Sequence, residues 1–235
     1  MSLQDAVVVV AGAGGGAGAA VVRRLTASGA TVVMADRALE TIEPVADEVA
    51  ATGGSAYPYA VDLLNETVTA DWATSLRDKF GHVDGVVHLV GGWRGGKSIT
   101  EADLADWHWL SDLLIRTVQH TSRAFHDDLR SSPIGRFVLV SAAEASRPTA
   151  KNASYAAAKA AAEAWTLALG DSFRGSSAAA TVLVVKALLT PAMRAAKPDA
   201  KFTGYTDVAD LADAITGLWD KPADDVNAQR VWLTS

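Results

Sequence analysis

The fold is decided by the stretch Val7-Val8-Val9-Val10-Ala11-Gly12-Ala13-Gly14-Gly15-Gly16-Ala17-Gly18. Its apolar, β-branched run predicts a buried strand, and the glycine cluster after it leads directly into an alanine-rich helical segment. Glycine lets a phosphate approach backbone N–H groups, and the positive end of the helix dipole attracts it. The spacing therefore favours dinucleotide binding over a glycine-rich turn that serves packing alone. The expected cofactor-binding residues of this loop are Gly12, Gly14, Gly15, Gly16, Ala17 and Gly18.

Apolar strand patterns alternate with helical patterns along the rest of the chain. The expected strands are Ala6–Ala11, Thr31–Ala35, Ala56–Val61, Gly85–Val90, Arg136–Ala142, Ala180–Val185 and Arg230–Thr234. The expected helices are Ala17–Ser28, Leu39–Ala51, Asn65–Phe80, Leu104–Leu129, Ala153–Phe173 and Asp207–Trp219. This alternation predicts the α/β class, with residues 1–235 forming a single Rossmann-like domain. Its core is a doubly wound, parallel, seven-stranded sheet with helices on both faces.

Composition narrows the classes of function. With 49% hydrophobic residues, the 235-residue chain can bury a large core, and its net charge of −6 disfavours nucleic acid or an anionic membrane as partner. The absence of cysteine excludes disulfides and thiolate chemistry, and the five histidines show no metal-binding spacing. The first residues, Met1–Asp5, carry no basic stretch ahead of an apolar one, and no apolar run reaches the roughly 18 residues of a membrane span. We expect a cytoplasmic protein that acts on a small molecule.

The second strand ends in an acid that bears on the choice of cofactor. Asp36 follows Gly12 at the distance typical of an acid that binds the adenosine ribose and repels a 2′-phosphate. Arg37, beside it, is suited to binding a 2′-phosphate, but no basic residue among Ala13, Gly14 and Gly15 assists it. We therefore expect NAD(H) to be favoured over NADP(H) as the cofactor.

Two later strand ends are expected at the same edge of the sheet. Asp62 and Leu63 follow the third strand, where the acid either accepts from the adenine amino group or caps the next helix. The fourth strand opens onto Gly91 and a loop that contains Trp93 and three further glycines. Loops at the carboxyl ends of strands are where open α/β sheets bind ligands.

The pair Tyr155 and Lys159 is the strongest candidate for chemistry. Side chains four residues apart share one face of a helix. A free tyrosine has a pKa near 10. A cation about 4 Å away contributes roughly 4 kcal/mol at an effective dielectric near 20, which predicts a pKa lowered by up to about three units. A chance spacing of the two residues is the alternative.

These pieces together resemble the short-chain dehydrogenase/reductase family over essentially the whole chain. The matching residues are Gly12-x-x-x-Gly16-x-Gly18, Asp36, Asp62, Gly91, Tyr155-x-x-x-Lys159 and Thr190. The resemblance implies hydride transfer with a nicotinamide cofactor, with Tyr155 as proton donor or acceptor, Lys159 in support and Thr190 at the cofactor. It also implies a homodimer or homotetramer, because helices equivalent to the long helix and the Tyr155 helix commonly form interfaces in the family.

The chain departs from the family pattern at four places. The family's Asn-Asn-Ala-Gly reads His88-Leu89-Val90-Gly91, its serine is Ala142 with Ser141 beside it, its helical asparagine is Leu114, and its Pro-Gly is Lys186-Ala187. The serine normally donates a hydrogen bond to the substrate oxygen, which is worth about 1–3 kcal/mol. Its absence argues against an ordinary alcohol dehydrogenase.

One branch of the family, the dihydropteridine reductases, is similar in these departures and carries a comparable loop, here Val90-Gly91-Gly92-Trp93-Arg94-Gly95-Gly96. This likeness implies NADH-dependent reduction of a quinonoid dihydropterin, with Trp93 stacked on the planar substrate and Ser141 and Ala142 beside it. Trp93 alternatively only packs the loop. Two other functions stay open: an enzyme for an unrelated carbonyl or alcohol, and a sensor that holds NAD(H) without turnover.

Three further residues lie near the expected site. His88 is expected to make a structural hydrogen bond rather than to react. Glu144 and Arg147 follow the fifth strand and either line the pocket or are solvated in the loop.

Overall fold

The computed structural model describes residues 3–233. Met1 and Ser2, and the predicted end of the seventh strand at Thr234, lie outside these residues. The main sheet has seven strands: β1 Val7–Ala11, β2 Thr31–Asp36, β3 Ser55–Ala60, β4 Gly85–His88, β5 Arg136–Ala142, β6 Ala179–Val185 and β9 Gln229–Trp232, while β7 Leu188–Leu189 and β8 Thr206–Asp207 lie outside it. The seven strands are all parallel, in the order β3-β2-β1-β4-β5-β6-β9. The predicted α/β fold with a parallel seven-stranded sheet is confirmed.

Helices cover both faces of the sheet. Their bounds are α1 Gly18–Ala27, α2 Glu43–Ala51, α3 Glu66–Phe80, α4 Leu104–Ser111, α5 Thr117–Ala124, α6 His126–Ser131, α7 Ala153–Ser172, α8 Pro191–Ala196, α9 Val208–Thr216 and α10 Ala223–Val226. One core cluster joins the sheet to α1, α2 and α9, and a second joins it to α3, α5 and α7. The first strand shows why: Val8 and Val10 belong to the first cluster, whereas Val7 and Val9 belong to the second. Successive strand residues point to opposite faces, so a fully apolar strand needs helices on both sides.

The segment predicted as one helix, Leu104–Leu129, is divided in the structure. A π-helical turn, Asp112–Arg116, separates α4 from α5, and Phe125 separates α5 from α6. The side chain of Phe125 is fully buried and its backbone leaves the helical region, with φ −107° and ψ 5°. Burial of this ring in the core therefore interrupts the helix that the local pattern predicted.

The structure also adds short elements after β6 that the sequence pattern did not predict. The strands β7 Leu188–Leu189 and β8 Thr206–Asp207 pair in a second small sheet, and α8 lies between them. Two-residue strands are too short to show an alternating pattern, so only the fold reveals them. The predicted fourth strand is shorter, since β4 ends at His88 although Leu89 still donates to the carbonyl of Ala11 at 2.8 Å.

Within residues 3–233, no helix has the length and apolar character that crossing a membrane requires. The same residues contain no group of three or more His, Cys, Asp or Glu side chains able to hold a metal ion.

Candidate active site

A cleft of about 490 Å³ opens at the carboxyl ends of the main strands. It lies at β1 and β4, where the strand order reverses, which is the usual ligand position in open α/β sheets. Most of the residues selected from the sequence line it: Gly12, Gly15, Gly16, Ala17, Asp36, Arg37, Asp62, Leu63, Gly91, Trp93, Ser141, Ala142, Tyr155 and Lys159. Three selected residues do not line it: Gly14, Gly18 and Thr190.

The glycine loop is shaped by close backbone contacts. Gly12 has a φ of +79°, and a Cβ there would lie 2.7 Å from the backbone nitrogen of Val90. A Cβ at Gly18 would overlap the carbonyl oxygen of Ala13, so this glycine allows the turn to pack against the start of α1. Gly12 and Gly18 thus hold the loop in a form that leaves Gly15 and Gly16 exposed at the cleft.

The acid at the end of β2 is fixed against the same loop. Asp36 accepts a hydrogen bond from the backbone N–H of Gly14 at 2.9 Å through Oδ2. Its Oδ1 accepts from the backbone N–H of Arg37 at 2.7 Å. Two N–H donors therefore orient the carboxylate at the cleft wall. The guanidinium of Arg37 is exposed and forms no ion pair with any residue in the described range 3–233.

The loop after β3 forms the adjacent wall. Asp62 is exposed, and its Oδ1 accepts from the backbone N–H of Leu64 at 3.1 Å. Leu63 is buried, and its carbonyl oxygen lies 2.9 Å from Nδ1 of His120 on α5. This buried contact anchors the loop, so that Asp62 faces the cleft from a fixed backbone.

Tyr155 and Lys159 lie together on the first turns of α7. Lys159 is only 6% exposed, and its Nζ donates to the carbonyl oxygen of Val140 at 3.0 Å. Burial lowers the pKa of Lys159 to about 8, and the charges of Glu163 and Glu144 oppose this shift.

The expectation that Lys159 lowers the pKa of Tyr155 is wrong for this structure. Burial and the nearby charge of Glu144 raise the pKa of Tyr155 to about 12. The ammonium of Lys159 is bonded to the Val140 carbonyl rather than to the Tyr155 hydroxyl, so desolvation of the phenolate outweighs attraction to the lysine. Tyr155 is therefore held in its protonated form.

Ser141 and Ala142 lie in the cleft wall, but the serine hydroxyl is committed elsewhere. Its Oγ donates to Oε1 of Glu163 at 2.6 Å, and Oε2 of Glu163 accepts from Nε of Arg230 at 2.6 Å. The bond to Glu163 directs the side chain of Ser141 toward α7, and Ala142, the next residue, lines the cleft without a polar group. Ser141 therefore does not replace the serine that the family carries at position 142.

His88 makes the structural contacts predicted for it. The ring is fully buried, with Nε2 3.1 Å from Oγ1 of Thr117 and Nδ1 3.1 Å from Oγ1 of Thr121. Burial, with a smaller contribution from the charge of Lys159, lowers the pKa of His88 to about 3. The ring is neutral at pH 7 and joins β4 to α5.

The loop after β4 holds Trp93 at the mouth of the cleft. The guanidinium of Arg94 lies 4.2 Å from the ring centroid of Trp109, and the backbone N–H of Gly96 donates to the carbonyl of Lys151 at 2.7 Å. These contacts tether the loop just after Trp93 to α4 and to the segment before α7. Trp93 itself is 59% exposed.

The family follows from comparison with known proteins. The sequence profile described as short chain dehydrogenase matches residues 6–201. The chain belongs to the short-chain dehydrogenase family. A short chain dehydrogenase from Pseudocercospora fijiensis is 28% identical over 142 residues, which cover 60% of this chain and 46% of that protein. An uncharacterized oxidoreductase from Staphylococcus epidermidis is 26% identical over 149 residues, which cover 63% of each chain. The matched part thus covers less than two thirds of the length of each of these relatives.

Solved structures resemble this short-chain dehydrogenase over its full length. A short-chain type dehydrogenase/reductase from Mycobacterium ulcerans superposes with a TM-score of 0.89 at 24% identity and covers 99% of this chain and 90% of that one. NAD⁺-bound xylitol dehydrogenase gives 0.87 at 17% identity, covering 100% and 99%. A short chain dehydrogenase from Burkholderia cenocepacia in complex with NADP gives 0.85 at 23%, covering 99% and 97%. At these identities the likeness establishes the fold.

Two residues of this short-chain dehydrogenase lie beside the cleft. Thr190 caps α8 by accepting from the backbone N–H of Met193 at 3.2 Å, and its methyl carbon would lie 3.1 Å from a Cβ at Gly16. It therefore lies against the glycine loop. Glu144 is half-buried in the 3₁₀ turn after β5, and its Oε2 is buried without a hydrogen-bond partner among the described residues.

Sequence reasoning missed two contributors to the site. Lys186 was noted only as a departure from the family, but it lines the cleft and donates to the carbonyl of Thr203 at 3.1 Å. Glu163 lies one helical turn after Lys159, and this spacing is the signal in the sequence that could have indicated it.

Proposed function

We propose that this protein is a reductase that transfers a hydride from NADH to a planar conjugated imine, with a quinonoid dihydropterin as the first candidate substrate. The observation that carries the proposal is the exposed ring of Trp93, in the same cleft as a protonated Tyr155 and an alanine at position 142. An aromatic wall suits a flat ring system, and an imine nitrogen needs a proton donor rather than the serine that a carbonyl oxygen would use.

The residues present fit a nicotinamide dinucleotide. A Cβ at Gly12 would lie 2.7 Å from the backbone nitrogen of Val90, so glycine lets the end of β1 approach the segment after β4 at the cleft. Gly15 and Gly16 lie at the cleft just before α1, whose N-terminal N–H groups and dipole favour a pyrophosphate. When bound, NADH supplies the hydride.

The chain's own residues then have separate roles. Tyr155 donates its proton to a nitrogen at one end of the conjugated diimine while the other end takes up the hydride. For a quinonoid dihydropterin, two N–H groups form and the double bonds shift within the ring, and Tyr155 then regains a proton from solvent. Lys159, one helical turn after Tyr155, is proposed to donate hydrogen bonds to the hydroxyls of the nicotinamide ribose. Ala142 leaves room for the ring, and Trp93 limits its tilt and shields it from water.

Asp36 supports NADH rather than NADPH in this proposal. Its carboxylate is fixed by Gly14 and Arg37, which directs an uncompensated negative charge toward the ribose position. A 2′-phosphate there would meet like charge. The free guanidinium of Arg37 is the feature that would favour the opposite preference, and the experiment below compares the two cofactors directly.

The test is NADH oxidation by the purified protein with quinonoid dihydropterin generated in the cuvette, with NADPH run in parallel. We expect enzyme-dependent turnover that favours NADH. Tyr155→Phe should reduce turnover by about a hundredfold or more, because the general acid is lost, while the Kd for NADH stays within about twofold. Binding of NADH without turnover on dihydropterin would exclude this substrate and direct the search to other imines and carbonyls.

We further propose that the protein works in the cytoplasm as a homodimer or homotetramer. The support is a line of small exposed residues on α7, comprising Ala157, Ala164 and Ala168, which would let a second helix approach closely. Light scattering of the purified protein, with Ala164→Glu as the disrupting variant, tests the assembly, and a monomeric wild type would contradict it.

A further inference from the structure

Glu163 is a buried carboxylate that binds two other elements. It is 3% exposed, accepts from Ser141 on β5 through Oε1, and accepts from Arg230 on β9 through Oε2, both at 2.6 Å. Charge-assisted hydrogen bonds at this length are among the stronger ones in proteins. Glu163 therefore joins α7 to two strands of the sheet at a single point.

Lys159, one turn earlier, binds the residue next to Ser141. Its Nζ donates to the carbonyl of Val140, so two side chains on one face of α7 hold two consecutive residues of β5. This double attachment fixes the rotation of the helix about its axis. It consequently fixes the direction in which Lys159 enters the cleft.

Among residues 3–233, the hydrogen-bond acceptor found for Nζ of Lys159 is the Val140 carbonyl, on the β5 side of the site. Leu114, in the π-helical turn, is 2% exposed and packs in a small apolar cluster with Ala158. The resemblance to the family had implied an asparagine there. The support for the lysine in this chain therefore comes from the β5 side.

Four titratable side chains lie near Lys159. Glu163 and Tyr155 lie one turn away on α7, Glu144 lies in the turn after β5, and the ring of His88 is on β4. Burial lowers the pKa of Lys159 to about 8, and Glu163 is the largest influence in the other direction, followed by Glu144. His88 is neutral because burial lowers its own pKa to about 3.

We propose that Glu163, held in place by Ser141 and Arg230, is the positioning residue that keeps Lys159 an ammonium and directs it into the cleft. A buried ammonium with one carbonyl acceptor requires a nearby negative charge, and Glu163 supplies it. Arg230 completes the arrangement by neutralising the other side of the carboxylate. The last strand of the sheet is thereby connected to the reactive helix. The inference rests on the role proposed for Lys159 in the reductase.

The direct test is the titration of Lys159 itself. Protein with ¹³C at the lysine Cε positions is titrated by NMR, and Lys159→Arg assigns the signal by its loss. Glu163→Gln, which keeps the shape of the side chain, should lower the pKa of Lys159 below its value in the wild-type protein. Arg230→Met, which removes the neutralising charge at a half-exposed side chain, should raise the pKa of Lys159, because the full charge of Glu163 then acts on the ammonium.

A matched control uses the exposed pair of Arg23 and Glu48, joined at 2.7 Å on the far helices α1 and α2. Glu48→Gln should leave the Lys159 titration unchanged. A merely structural role for Glu163 would make Glu163→Gln and Arg230→Met act alike, since both break the same bond. Equal downward shifts in the two variants, or an unchanged titration in a folded Glu163→Gln, would overturn the proposal.

Cofactor binding gives a second readout. At a pH above the Lys159 pKa of Glu163→Gln but below that of wild type, the variant should bind NADH about tenfold more weakly, as expected for losing one charged hydrogen bond. Near pH 6 the two should differ less. If Glu163→Gln does not fold, the direction of the Arg230→Met shift still decides. Failure of dihydropterin turnover would leave the lysine titration intact, so the two proposals are tested separately.

Discussion

Oδ2 of Asp36 accepts a 2.9 Å hydrogen bond from the backbone N–H of Gly14. The acid at the end of β2 and the glycine loop after β1 therefore form one fixed corner of the cleft. Because the carboxylate cannot easily turn away, it is suited to discriminate between dinucleotides that differ at the ribose.

This corner predicts the effect of Asp36→Ala. The substitution removes a fixed negative charge, so the preference for NADH over NADPH should fall by at least about tenfold, which corresponds to about 1.4 kcal/mol. The measurement is kcat/KM for both cofactors. Asp62→Ala is the control, because it lies in the same cleft and should change both cofactors alike. A wild type that already prefers NADPH would contradict the proposed role of Asp36.

Gly12→Ala should lower the free energy of unfolding more than the same substitution at Gly53, another glycine in the left-handed region. Gly12 has φ +79° and a Cβ would lie 2.7 Å from the Val90 nitrogen, whereas Gly53 has φ +81° with no atom within 4 Å of its Cβ position. Both variants should lose the roughly 1–2 kcal/mol of a left-handed alanine. Gly12→Ala should lose at least about 1 kcal/mol more, because backbone atoms must move. Urea unfolding compares the two, and equal losses would show that the loop relaxes freely.

Glu144→Gln should make Tyr155 easier to ionise. Glu144 contributes, after burial, to raising the pKa of Tyr155 to about 12, so removal of its charge should lower that pKa. Ultraviolet titration of the four tyrosines, with Tyr155→Phe for assignment, measures the change. In the oxidative direction, where tyrosinate acts as base, activity should then rise at a lower pH than in wild type. If Glu144→Gln leaves the pKa of Tyr155 unchanged, the electrostatic role of Glu144 is contradicted.

His88 should make stability depend on pH between about 6.5 and about 3. Its pKa in the folded protein is lowered to about 3, so the unfolded chain binds a proton in this interval and the folded one does not. The stability from a neutral His88 is thus complete above pH 6.5 and is lost as the pH falls, by about 1.4 kcal/mol per pH unit. His88→Gln should flatten this slope in urea unfolding, while His108→Gln at an exposed site should not. Equal slopes in both variants would show that His88 is solvated.

Local patterns in the sequence were enough for the framework of the site. The β-branched run ending at Gly12 predicted β1 and its glycine loop, and the four-residue spacing predicted that Tyr155 and Lys159 share a helix face. Strand alternation and helical periodicity are properties of neighbouring residues, so they can be read without the fold. The same reasoning placed Asp36 and Trp93 at the cleft, since strand ends meet at one edge of a parallel sheet.

Only the tertiary structure decided the protonation states of these side chains and the partners that orient them. The pKa of Tyr155 rises rather than falls because its burial and the position of Glu144 depend on packing, which spacing does not reveal. The contact of Glu163 with Arg230 joins α7 to the last strand, and no local pattern predicts a partner so distant along the chain. The sequence by itself determined the seven main strands and most of the residues that reach the cleft, because those follow from short-range periodicity. The fold decided their protonation and partners, because desolvation and long-range hydrogen bonds exist only once the elements are packed.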